Sequence, residues 1–136
     1  MKSLLFTADG IPAPQGSKRI VPTSRGPRVI ESSGEKLKTW RRTVTAAAAR
    51  AHVGGPITGP VVVTVNFHLV APQRPRFTTP AARPDLDKLL RAVLDALTDA
   101  EVWEDDGQVI ALSASKRWSS ATYPPGATIL VERVNE

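Results

Sequence analysis

Apolar and polar positions along the chain change period several times, and each change marks a predicted element. "SLLFTA" (3–8) has strand composition, and "DGIPAPQGSKR" (9–19) breaks it with Pro and Gly. "RIVPTSRGPRVIE" (19–31) holds two short apolar pieces around "SRGP", which predicts a hairpin or a mobile arm. From about Gly34 to His52 the pattern is helical: Leu37, Trp40, Val44, Ala47 and Ala51 fall on one stripe, and Ser32 or Ser33 is placed to cap the start. "GGPITGP" (54–60) interrupts, and "VVVTVNFHLV" (61–70) predicts a central strand rich in β-branched residues. After a Pro-rich basic loop (71–84), Leu86, Leu89, Leu90, Val93, Leu94 and Leu97 predict an amphipathic helix over about 85–99. Strands follow at 108–116 and 127–134, with "YPPGA" turning between them.

The order β, arm, α, β, α, β, β predicts one layered α/β (α+β) domain over residues 1–136, a mixed β-sheet with two main helices packed on it. A chain of 136 residues suits one domain. With no cysteine, disulfides and thiolate metal sites are excluded, and two histidines make a zinc site a poor expectation. Even the 61–70 run falls well short of a membrane span, and the N-terminal apolar run is better explained by a strand than by a signal peptide. A cytoplasmic protein is expected.

Charge divides the chain. Residues 1–84 carry 13 Lys/Arg against 3 Asp/Glu, whereas residues 85–136 carry 5 against 10. A basic surface for a polyanion beside an acidic site is the expectation. Lys36, Lys38, Arg41 and Arg42 fall largely off the core stripe of the first helix. Each alone is explained by a solvated helix face. As a group with Lys18, Arg19 and Arg76 they are expected to track phosphates.

The carboxylates gather at two points. "RPDLDKLLR" (83–91) places Asp85 at the cap or first turn of the second helix, so that Asp85 and Asp87 start it where acidic side chains favour the exposed N–H groups. Asp87, Arg91 and Asp95, spaced by four, share a second helix face. "EDDGQ" (104–108) then sets Asp105 and Asp106 just before a strand. A helix start and a solvated turn would explain each cluster separately. Both clusters bracketing one helix, in a chain whose other half is basic, point instead to a hard divalent cation at a phosphodiester. Mg2+ takes a few carboxylate oxygens together with water and phosphate.

These residues carry a resemblance. "RPDLDKLLRAVLDALTDAEVWEDDGQVIALSASK" resembles the signature of the RusA family of Holliday-junction resolvases: an Asp-Leu-Asp helix start, Ala-Leu within "DAL", an Asp-Asp-x-Gln-Val turn and strand, and a lysine ending that strand. "GIPAPQGSKR" is similar to the family's opening Pro-rich basic loop. The resemblance implies that Asp85, Asp87 and Asp106 are the essential carboxylates, holding Mg2+ (with Mn2+ as an alternative), and that Asp105 is a supporting acidic position. Asp95 matches the aspartate of "DAL". The family's catalytic lysine corresponds to Arg91, a departure, and the residue after the second Asp, commonly Asn, is Lys88. A guanidinium holds a phosphate oxygen or the carboxylates of an ion site but transfers no proton near neutral pH. Arg91 is therefore expected to be an electrostatic clamp. Lys116 matches the family lysine and is expected to face the phosphate. The resemblance further implies a homodimer, phage or prophage encoded, that makes paired symmetric cuts in a four-way DNA junction. An isologous dimer supplies two sites for a two-fold substrate.

Two other functions compete. A non-catalytic nucleic-acid-binding protein of the same fold would keep the basic arm without the carboxylates, all of which stand here. A Mg2+-dependent flap or fork nuclease would use the same chemistry and differ in substrate alone. Trp40 and Trp103 are expected to pack, His68 to be a strand residue rather than a ligand, and Trp118 to pack in preference to stacking on a base.

Overall fold

A computed structural model of the protein describes residues 3–16, 18–31 and 34–135, and along 18–21 and 29–31 the backbone alone. The elements are β1 (Ser3–Asp9), β2 (Lys18–Thr23), β3 (Gly26–Glu31), α1 (Gly34–Ala51), β4 (Val61–Leu69), α2 (Leu86–Asp99), β5 (Val109–Trp118) and β6 (Gly126–Arg133). The mixed α+β architecture expected from the sequence is present. A four-stranded sheet runs in the order β1-β6-β4-β5, with β4 central as its β-branched run predicts. β4 pairs antiparallel with β6 and parallel with β5, so α2 is the crossover of a βαβ unit. The 18–31 segment is a hairpin, β2 against β3, forming a separate two-stranded sheet.

Both helices lie on one face of the sheet. Val63, Val65 and Phe67 of β4 pair with Val131, Ile129 and Ala127 of β6, and these with Leu4, Phe6 and Ala8 of β1. Together they make the floor on which Leu37, Trp40 and Val44 of α1 and Leu89, Val93 and Leu97 of α2 are buried. Each such side chain contributes about 1.5–3 kcal/mol relative to exposure. The other face presents Thr7, Thr64, Thr128 and Ser113, and among the described residues no helix covers it. β6 meets β1 closely at its start: a Cβ on Gly126 would stand 2.0 Å from the Ala8 carbonyl oxygen, so this position has room for glycine alone.

The helix stripes differ in detail from their predicted membership. On α1, Ala48 is buried and Ala51 is exposed, because the last turn runs past the edge of the core. The capping serines, Ser32 and Ser33, lie outside the described residues. On α2, Ala92 and Ala96 join the deepest positions while Leu86, Leu90 and Leu94 stay partly exposed. The small alanines let α1 approach closely. Thr45 Oγ1 donates to the Ala96 carbonyl at 3.3 Å, and Arg41 Nη2 reaches Asp99 Oδ2 at 2.7 Å. Of the partly exposed leucines, Leu90 and Leu94 line a cleft at the sheet edge.

Candidate active site

That cleft lies between α2 and the beginning of β5. It encloses about 510 Å³ and is bordered by Asp87, Leu90, Arg91, Leu94, Asp106, Val109 and Leu112. A second cleft of about 410 Å³ adjoins it, sharing Asp87 and Arg91 and adding Gln15, Gly16, Lys88 and Asp95. Three leucines and a valine make the apolar lining of the first, beside two carboxylates and a guanidinium. Among the described residues, the side chains of Asp87, Asp106 and Arg91 make no hydrogen bond or ion pair. Their polar atoms remain available to something outside the chain.

Three connections position these groups. The first is the turn carrying Asp106. Residues 106–108 form a single 3-10 turn, whose preceding Asp105 accepts from the Gly107 N–H at 2.9 Å through Oδ1. Gln108 completes it. Its Oε1 accepts from the Glu104 and Asp105 N–H groups at 3.0 and 3.2 Å, and its Nε2 donates to the Ile57 and Gly59 carbonyls at 2.8 and 2.9 Å. One side chain thus ties the acidic turn to the loop before β4. The second connection is Lys116, whose Nζ donates to the Ala82 and Pro84 carbonyls at 2.8 and 3.0 Å, fixing the chain just ahead of Asp85. The third is the Gln15 N–H donating to the Lys88 carbonyl at 2.9 Å, which seats the Pro-rich 10–16 loop against the first turn of α2.

The carboxylates do not all meet. Among the described residues no three Asp, Glu or His side chains stand close enough to hold an ion together, so the convergence expected for Asp85, Asp87 and Asp106 is not seen. Asp85 occupies the N-cap position of α2 with extended backbone but makes no capping bond, and its Oδ2 lies 4.0 Å from Lys88 Nζ. It borders neither cleft. Asp105 is committed to its turn. As the return path of a βαβ unit, α2 runs opposite to β5, which places Asp106 nearer the C-terminal half of the helix. Asp95, partly buried there, has its carboxyl raised above the ordinary range. Burial is the main cause; Asp106 and Asp99 add to it, while Arg41 and Arg91 oppose it. Asp87 stands eight residues earlier, about 12 Å of helical rise. Asp87 and Asp106 therefore face the cleft from opposite ends, with Arg91 between them.

The basic residues divide as well. Lys36 is exposed on α1, and Arg42 is exposed with Nε donating to the Lys38 carbonyl at 3.4 Å. Lys38 pairs loosely with Glu35 at 3.6 Å. Arg76 lies over the Phe77 ring at 5.7 Å. Arg41, expected among the phosphate contacts, is engaged with Asp99 and ties α1 to α2. Lys116, expected to face a phosphate, gives two of its three donors to carbonyls. Lys18 and Arg19 lie on β2, and their side chains are outside the described residues. Trp40 and Trp103 are core residues at 1% exposure each, His68 is a buried strand residue bonded to Pro124 and Thr128, and Trp118 donates to the Phe77 carbonyl. Gln108 and the Gln15–Lys88 tie were not singled out from the sequence. The sole signal was the place of Gln108 in the "DDGQV" string.

Fold and cleft define a small mixed-sheet domain whose βαβ unit holds an arginine between unpaired carboxylates. The family model described as endodeoxyribonuclease RusA matches residues 9–132, and the chain belongs to that family. It is 32% identical over 100 residues to the crossover junction endodeoxyribonuclease RusA of Shigella sonnei, covering 74% of this chain and 73% of the relative. Identity to the protein of the same name from Escherichia coli K12 is 30% over the same extent. The uncharacterized protein YqaN of Bacillus subtilis is 26% identical over 147 residues, covering 99% of each chain. No helix among the described residues is long and apolar enough to cross a membrane.

Proposed function

We propose that the protein is a divalent-metal-dependent endonuclease that resolves four-way DNA junctions by paired symmetric cuts, acting as a homodimer. One observation carries the reading: Asp87, Arg91 and Asp106 border one cleft, and among the described residues their side chains make no hydrogen bond or ion pair. In a chain of net charge +5, carboxylates left unpaired beside exposed lysines and arginines fit a site completed from outside. The relatives named as crossover junction endodeoxyribonucleases support the substrate.

The donor set fits a hard cation. Mg2+ binds through one or two carboxylates and keeps its remaining positions for water and phosphate, so a three-carboxylate cage is not required. Asp87 and Asp106 would each offer a carboxylate to Mg2+, or Mn2+ in its place, with Asp85 and Asp105 as supporting carboxylates. Standing at opposite ends of the cleft, they would not share one ion in the arrangement described, and water and phosphate would fill the remaining positions. Such an ion supplies an activated water and neutralises charge on the phosphodiester. Arg91 holds a phosphate oxygen between them and, as a guanidinium, stays charged throughout. Lys36, Lys38, Arg42, Arg76 and the hairpin residues Lys18 and Arg19 carry the flanking DNA. The protein works in the cytoplasm and is of phage or prophage origin.

The test is cleavage of a synthetic four-way junction in Mg2+, beside fork, flap and linear duplex. Paired cuts in the junction, lost with chelator and in Asp87→Asn while junction binding persists, are expected. Equal cutting of flap or fork would move the substrate assignment to that class. Cleavage by Asp87→Asn at the wild-type rate would remove the metal role of the cleft.

A further inference from the structure

We infer that Phe77 is a stacking surface for an unpaired nucleobase at a DNA branch point, and that through it the protein distinguishes a branch from a continuous duplex. The inference deepens the junction-cleaving reading and rests on it. Residues 71–84 read "APQRPRFTTPAARP", with three arginines and no carboxylate. Positions 72–79 are all exposed, but the loop is fastened to the fold at several points. The Trp118 indole N–H donates to the Phe77 carbonyl at 3.1 Å, Pro80 is buried, and Lys116 holds the Ala82 and Pro84 carbonyls. These ties fix the backbone of Phe77 and leave its side chain 53% exposed.

A lone exposed apolar residue is ordinary on a protein surface. Phe77 differs in its surroundings. The Arg76 guanidinium stands 5.7 Å from the ring centroid, and Arg74 and Arg83 are exposed on the same loop. A flat apolar face among guanidiniums matches a ligand that alternates flat bases with phosphates, which is a nucleic-acid strand whose bases are free to stack.

The loop is anchored beside the carboxylates. Lys116 and Trp118 pair with Phe67 and Leu69 of β4, which are buried on the helix-bearing face. Leu112, which pairs with Val63 on that face, lines the cleft of Asp87 and Asp106. Lys116 and Trp118 are two residues apart, about 7 Å along the strand. The first holds the residue before Asp85, and the second holds Phe77. The phenylalanine is therefore tied one strand repeat beyond the start of α2. In a continuous duplex each base is covered by its neighbours, so a protein ring gains a partner only by prying a step apart. At a branch the stack is already interrupted. A ring fixed here gains its contact at a branch and sets that branch next to Asp87.

The test is equilibrium binding in chelator, so that no cutting enters. The probes are a four-way junction, a duplex with an unpaired bulge, and a linear duplex. Phe77→Ala should bind the junction and the bulge roughly tenfold more weakly, the scale of one lost base stack. It should bind the linear duplex as the wild type does, which also reports that the variant is folded. Phe77→Trp should restore the two interrupted probes. Phe77→Leu, apolar but without a π face, should not. Equal weakening on the linear duplex overturns the inference, as does unchanged binding of both interrupted probes or full binding by Phe77→Leu. The resolvase reading is tested on the wild type alone, by its preference for the junction over the other two probes, so either can fail without the other.

Discussion

The Lys116 ammonium donates to the Pro84 carbonyl at 3.0 Å, one residue before Asp85 and thirty-two positions earlier in the chain. With its second bond, to Ala82, it closes the end of the Pro-rich loop onto β5 and sets where α2 begins. Charge-assisted bonds of this kind stabilise more than neutral ones. Lys116→Met should lower stability by about 1 kcal/mol in urea unfolding, given its partial exposure. Trypsin should also nick the variant faster after Arg76, since Arg74 and Arg83 are each followed by a proline that blocks cleavage. Unchanged proteolysis of that loop would show that the two bonds do not hold it.

Arg41 and Arg42 are neighbours in sequence with different occupations. Arg41 is bound to Asp99, and Arg42 is exposed. Arg42→Gln together with Lys36→Gln should reduce the salt dependence of junction binding by roughly 0.9 in log–log slope for each lost phosphate contact. Arg41→Gln should leave that slope alone and cost stability, up to about 1 kcal/mol for a pair this exposed. A slope that falls with Arg41→Gln as much as with Arg42→Gln would return Arg41 to the DNA surface.

Gln108 is the side chain that orders the acidic turn, with four hydrogen bonds to backbone groups on two loops. Gln108→Leu fills similar volume and makes none of them. Stability should fall by about 1–3 kcal/mol, since backbone groups lose their partners. Cleavage should fall more than junction binding, because Asp106 would lose its fixed position while the basic surface stays. Wild-type cleavage by a folded Gln108→Leu would show that Asp106 needs no such support.

How much of this was legible in the sequence depended on the range of each interaction. Helical spacing marked Leu37, Trp40, Val44, Leu89, Val93 and Leu97, because a core stripe repeats within a few residues. The strand run 61–70 announced a central position through its branched side chains. The acidic positions were legible as motifs. Their arrangement was not: that Asp85 turns toward Lys88, that Asp106 stands near Asp95, and that Arg41 pairs with Asp99 depend on contacts across many intervening residues, to which periodicity is blind. The alanines were misjudged for a related reason. Ala48 and Ala92 matter through the helix facing them, and nothing local in "AAAARA" or "RAVLDAL" says where that helix lies.

Burial holds the Asp95 carboxyl above its ordinary range, which has a defined consequence for stability. A carboxyl raised in the folded state favours folding while protonated, so its contribution is fully present below the ordinary value of 3.8 and is lost as pH rises through the folded-state value. Near neutral pH the charged form opposes folding. Asp95→Asn, measured in chelator, should therefore unfold at a higher temperature than wild type at pH 7. The advantage should shrink toward pH 3. A variant less stable at pH 7 would mean that the attraction of Arg41 and Arg91 outweighs the cost of burial.

Arg91 stands on both clefts, four residues from Asp87 and four from Asp95. A guanidinium keeps its charge across the whole range in which DNA cleavage can be followed, whereas a lysine loses its proton near ~10.4. If Arg91 acts by charge alone, the wild-type rate should show no loss attributable to this position up to about pH 10. Arg91→Lys should keep most of the rate at pH 8, at a cost of roughly tenfold for the lost fork geometry, and should acquire a new decline above pH 10. Arg91→Ala should lose about 10²–10³ in rate at every pH, the usual scale for removing one preorganised donor from a developing anion. Junction binding measured alongside separates clamp from anchor: a clamp on the reacting phosphate changes rate far more than affinity. A pH-independent loss in Arg91→Lys as large as in Arg91→Ala would show that the fork, rather than the charge, is what the cleft requires. Arg91→Ala cutting at the wild-type rate would exclude the residue from the chemistry altogether.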